Sequence, residues 1–186
     1  MSDIPQRHEI HRRQIDLRFF RRDDGLYEVE GTLVDTKTHD FQRPLGRGPI
    51  PAGDPVHDMT LRLVVDGSLQ VIDAVAFMRT TPFEVCQGAA STLAPLKGLK
   101  IGAGWNSAIR KLLPQDDTCT HLRELLGPMA TTALQGTAVE RVQRMRQPGH
   151  EDEHRAKVDS CYAYAAHRPV VAKLWPHLSR SKPGSA

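Results

Sequence analysis

Three cysteines and nine histidines are the side chains of this chain best suited to hold a metal or to act as nucleophile and base. Cys86, Cys119 and His121, together with the pair His57-Asp58, fall where elements are expected to begin or end. Unpaired backbone N–H groups lie open at such places, and side chains from distant segments can converge there. Thiolate and imidazole are the donor pair for zinc or another borderline-soft ion, and a carboxylate completes a tetrahedral set. A metal site is therefore expected among His57, Asp58, Cys86, Cys119 and His121, with zinc the first candidate and iron the second. The same residues also fit a metal-independent thiol enzyme for acyl or thioester transfer. Thiols at helix starts serve as nucleophiles because the helix dipole favours the thiolate. On that pattern Cys119 would attack, His121 or His57 would act as base, and Asp58 would orient the base. These residues are far apart in the chain and form no zinc-finger knuckle, so tertiary structure must assemble any such site.

Other groups carry a plainer expectation. Cys161, among Tyr162, Tyr164 and alanines, reads as a packed thiol. His121 and Glu124 read as a pair at a helix start. His150 and His154 bracket three acids in a run read as solvated charge. Gly98 to Trp105 reads as a tight connection between helices, since no Gly-Lys-Ser/Thr follows to make a phosphate loop. The basic stretches Arg7–Arg22 and Arg141–Arg146 read as solvated surface.

The elements that must position these groups follow from hydrophobic period. Ile15, Leu17 and Phe19 alternate with Asp16 and Arg18, which predicts a strand over about 14–21. Asp23-Asp24-Gly25 turns the chain, and alternation from Leu26 to Val34 predicts the second strand of a hairpin. Four prolines and three glycines between 37 and 55 exclude helix and central strand there, so a long loop is expected. Residues 59–65 and 69–78 alternate around Asp66-Gly67-Ser68, a second hairpin. From Pro82 the period becomes helical through Val85, Ala89, Leu93 and Leu96, with Gly98 beyond the end. Trp105 to Leu113 reads as a short helix. A longer one is expected over about 119–146, kinked at Pro128 and weakened at Gly136. Residues 147–157 read as a solvated connector, and 158–175 as a segment able to pack back. The expected fold class is α+β: an antiparallel sheet of about four strands in the N-terminal half, covered by two to three helices from the C-terminal half. One domain is expected over 8–175, with flexible tails at 1–7 and 179–186.

Composition bounds the function classes. The 186 residues are 39% apolar and 25% charged, with 25 basic and 22 acidic side chains. A net charge of +3 argues against nucleic acid as a partner. No apolar run approaches the ~20 residues of a membrane span. Met1 to Pro5 shows no apolar core of a signal peptide, so a cytoplasmic location with reduced thiols is expected. A small-molecule or protein partner stays open, as does a homo-oligomer and a third role as a non-catalytic accessory module.

With these residues placed, the strings FRRDDGLYEVEGTLVDTKTH, PVHDMTLRLVVD, GLKIGAGW, CTHLRELLGPMATTALQ and DSCYAY resemble an uncharacterised bacterial family of unknown function. That resemblance implies no chemistry. The order of elements also distantly resembles the NifU/IscU-like iron–sulfur scaffold fold. That likeness implies ligand positions at His57 or Asp58, at Cys86, and at Cys119 with His121. His57-Asp58 stands where the scaffold carries a cysteine, which leaves a mononuclear metal site or a thiol catalytic site on a similar frame in place of a cluster.

Overall fold

The structure, a computed structural model, describes residues 5–45 and 48–181. The expected tail positions 1–4 and 182–186 lie outside the described residues. Two compact units divide it, one ending at Gly136 and the other beginning at Thr137.

The first unit is α+β. Four strands, β1 (His11–Arg21), β2 (Tyr27–Lys37), β3 (Pro55–Val65) and β4 (Val71–Thr80), form one antiparallel sheet in chain order. The β1–β2 hairpin turns where Gly25 takes a φ of 81°, a conformation that costs a glycine nothing. Asp24 accepts the Leu26 N–H there. At the second hairpin, Asp66 accepts the N–H groups of Ser68 and Gln70. Leu69, expected to open the fourth strand, belongs to this turn instead, at a φ of 66°. The loop between β2 and β3 is closed by a short bridge from Phe41 to Ile50.

Past β4 the chain forms a 3-10 segment, Glu84–Leu96, where the apolar period predicted an ordinary helix. The period did find Leu93 and Leu96, both fully buried, but Val85 is 83% exposed. Ser91 and Thr92 hydroxyls donate to the carbonyls three residues back, and Pro95 supplies no N–H, so a tighter winding is favoured locally. Helix α1 (Trp105–Leu112) and helix α2 (Thr120–Gly136) follow. The helix expected over about 119–146 is broken after Gly136, the position read as weak, and resumes over Ala138–Met145.

One sheet face is apolar and covered. Val29 and Leu33 of β2, and Met59, Leu61, Leu63 and Val65 of β3, meet Leu93, Leu96, Trp105 and Ile109 there. Leu122, Leu125, Leu126 and Met129 of α2 complete this core. The buried Trp105 indole donates to the Leu126 carbonyl at 2.9 Å, which fixes α1 on α2. Gly31 lets α2 sit close: a Cβ there would meet Met129 and Leu17 at 3.0 Å. That contact sets the register of helix over strand. Stepping back from Met129 to His121 covers about 12 Å of helix. Stepping from Gly31 to Asp35 covers about 13 Å of strand. The first turn of α2 therefore lands over Asp35.

The second unit holds helices α3 (Ala138–Met145), α4 (Glu151–Lys157) and α5 (Pro169–Leu174). Helix α4 replaces the expected connector. Its acids Glu151, Asp152 and Glu153 stand in the first turn, and His154, Arg155 and Lys157 in the last, the arrangement a helix dipole favours. Trp175 stacks on His154 and Tyr164, and Glu153 pairs with Arg144 and His150. Cys161, expected to be packed, is exposed. No described helix is long and apolar enough to cross a membrane.

Candidate metal centre

Alternation along three strands builds the site. Arg13 of β1 lies opposite Asp35 of β2, and Asp35 lies opposite His57 of β3. All three point to the covered face, at the end of the sheet where the apolar core runs out. Asp35 keeps 1% of its side-chain surface, so its charge must be met by neighbours. Arg13 meets it with two parallel bonds, Nε to Oδ1 at 2.8 Å and Nη2 to Oδ2 at 2.7 Å. Arg13 is itself anchored to Glu124 of α2. His57 Nδ1 lies 3.0 Å from Asp35 Oδ2, and His11 Nε2 lies 3.4 Å from Oδ1. From above, His121 in the first turn of α2 brings Nε2 to 3.8 Å from Oδ2. The rings of His57 and His121 pack with centroids 4.0 Å apart. Asp35, His57 and His121 thus offer three ligand atoms all within 4.8 Å of one another, among the described residues.

The charge states follow from these neighbours. Burial by itself would raise the Asp35 carboxyl, yet the Arg13 bonds and charge, with His57 and His11, hold it below its ordinary value. Burial pushes His57 down, and Arg13 and His11 add to this against the pull of Asp35. His121 is pushed down to about 4, mainly by burial and then by His57 and Arg13. At neutral pH the centre is one carboxylate beside two neutral imidazoles, the forms that coordinate metals.

The structure sorts the residues read from the sequence. His57 and His121 converge. Cys119 stands one residue before α2, its carbonyl accepting the Arg123 N–H, and its Sγ lies 3.7 Å from His121 Nδ1. Its sulfur meets the cluster at that ring. Asp58 does not join. Arg79 bonds it at 2.6 Å and also reaches Thr60, whose hydroxyl meets Thr32, so Asp58 belongs to the opposite face of the sheet. Cys86, half-buried on the 3-10 segment, is not among the converging atoms either. Three residues of the centre went unrecognised as site residues: Asp35, Arg13 and His11. Arg13 and His11 fall within the basic stretch whose composition suggests solvated surface. The available signal was parity: Asp35 continues the inward-facing series Val29, Gly31, Leu33, and an acid on a buried strand position needs partners.

Fold and cluster together define an α+β sheet domain with a buried carboxylate–imidazole centre at one sheet end. The model of the family described as Protein of unknown function (DUF2889) matches residues 11–135, and the chain belongs to that family. The match starts at the first residue of β1 and stops one residue short of the end of α2, so every residue of the centre lies inside it. No curated protein and no solved structure matches the chain, so the iron–sulfur scaffold resemblance gains no support there.

Proposed function

We propose that this chain binds one divalent transition metal ion through Asp35, His57 and His121, as the centre of a metal-dependent activity. The convergence of these three donors within 4.8 Å around a buried carboxylate carries the reading. Its dimensions suit an ion. Ligand bonds of ~2.0–2.2 Å in tetrahedral array put neighbouring donor atoms a little over 3 Å apart. The separations from Asp35 Oδ2 of 3.0 Å to His57 Nδ1 and 3.8 Å to His121 Nε2 bracket that value. The ion would take the place of the proton that His57 Nδ1 now donates to Asp35. Arg13 would remain outside the ion, holding the carboxylate in orientation.

Three protein ligands leave further positions open, as in catalytic zinc sites and in the two-His, one-carboxylate sites of iron(II) enzymes. Zinc is the first candidate and iron the second. A bound ion would supply Lewis acidity and a water acidified towards ~7. Zinc titration of the metal-free protein by calorimetry tests the reading. One ion should bind per chain, and His57→Ala and His121→Ala should each weaken binding by well over 10-fold. Absence of binding heat, with an unfolding temperature indifferent to zinc, removes the proposal.

A second reading rests on the 3.7 Å approach of Cys119 Sγ to His121 Nδ1, the spacing of a loose thiol–base pair. It stands second because an imidazole held near 4 is a weak base at neutral pH. Rapid, selective alkylation of Cys119 in metal-free protein would favour it.

A further inference from the structure

Cys119 places its sulfur beside the proposed centre, 3.7 Å from His121 Nδ1, and the simplest expectation makes it a fourth ligand. We propose a different role, one that rests on the metal reading above: Cys119 is a positioning residue whose sulfur accepts the Nδ1–H of His121 and so holds the Nε2 lone pair towards the ion.

The two nitrogens of His121 face different neighbours. Nε2 lies 3.8 Å from Asp35 Oδ2, on the side of the converging donors. Nδ1 lies 3.7 Å from Cys119 Sγ, within reach of an N–H···S bond. A neutral imidazole carries one N–H, and the partner of that N–H decides which nitrogen is left to coordinate. Metal-binding histidines almost always have such an outer partner, usually a carboxylate or a carbonyl. His121 has Cys119 in that place. The ring's face is occupied by His57, 4.0 Å away between centroids, so its edge contacts govern its orientation. Cys119 Sγ is also absent from the set of atoms lying within 4.8 Å of one another, whereas a zinc–sulfur bond needs ~2.3 Å.

The local chain explains the pairing. Cys119 caps the start of α2 and His121 stands in its first turn, so the two side chains leave the backbone at one helix end. The contact is built into the sequence Cys119-Thr120-His121 and needs no distant segment.

Cobalt(II), a spectroscopic substitute for zinc, tests this on the whole chain. Wild type should bind cobalt and show its visible ligand-field bands without the intense near-ultraviolet band of sulfur-to-cobalt charge transfer. Cys119→Ala should bind cobalt about 10-fold more weakly, and Cys119→Ser, whose hydroxyl also accepts the Nδ1–H, should recover most of the loss. Metal-free unfolding midpoints of the three proteins show whether the loss belongs to the site or to the fold. A charge-transfer band in wild type makes Cys119 a ligand and overturns the positioning role while leaving the metal site standing. Unchanged affinity in Cys119→Ala, or a serine variant as weak as the alanine one, also overturns it. If wild type takes up no cobalt, the metal reading itself falls, and this role with it. Should Cys119→Ala fail to fold, the wild-type spectrum and the serine variant still decide.

Discussion

On the covered face of the sheet, at the end where His57 sits, one carboxylate is shared among an arginine and three histidines and is almost fully removed from water. On the open face, Asp58, the next residue in the chain, is bound to Arg79, and Arg62 lies between Glu28 and Glu30. The same residue types therefore meet under two dielectric regimes. Water screens the open-face pairs, so each can lose a partner cheaply. Nothing replaces a partner lost by Asp35, because little solvent can reach it. Charge on the covered face is a commitment of the fold, and such places are where functional centres tend to lie.

Removing Arg13 should break this contrast hardest. Arg13→Ala leaves Asp35 buried with imidazoles as its remaining partners, and should cost about 3 kcal/mol in urea unfolding. A loss under about 1 kcal/mol would mean that water reaches the carboxylate. Acid should produce the next largest effect. The folded state keeps His121 neutral down to about 4, whereas the unfolded chain takes up that proton near its ordinary value of 6.5. The unfolded state thus binds more protons in this window, and stability must fall as pH drops through it. Between pH 7 and pH 5, metal-free protein should lose about 2 kcal/mol through this group. The lowered His57 acts in the same direction, and Asp35 extends the loss below the carboxylate range. His121→Leu should flatten the profile; an unchanged slope would place the acid sensitivity elsewhere. The smallest effect belongs to the open face: Arg79→Ala should change stability by less than about 1 kcal/mol, with metal affinity untouched. A larger loss would show that Asp58 matters to the fold as Asp35 does.

Much of the scaffold could be read from residue types. Period-two alternation found all four strands and both hairpins, because one sheet face is apolar and the other wet. The start of α2 was visible in Asp116-Asp117-Thr118 and the leucines that follow. The tightness of each winding was less visible: apolar spacing located Leu93 and Leu96 but cannot tell a 3-10 segment from an α-helix. Of the centre, the two imidazoles were legible and the carboxylate was not. His57 and His121 drew notice as rare side chains at element ends. Asp35 is one of many acids, and its role depends on Arg13 and His121 arriving from other elements. That His57 and not Asp58 faces inward follows from carrying the alternation of Met59, Leu61 and Leu63 back two residues, but the apolar pattern itself begins only at Met59.

That register has a discontinuity beside the centre. Asp35 pairs with His57, but Thr36 pairs with Pro55, so Val56 is an extra residue in β3, a bulge. Length changes on its two sides should consequently be felt very differently. A residue gained or lost before Val56 can be absorbed where pairing is already irregular and the proline-rich loop begins. One inserted between Asp58 and Met59 would swing the imidazole out to the arginines of the open face and carry Asp58 in beneath the helix.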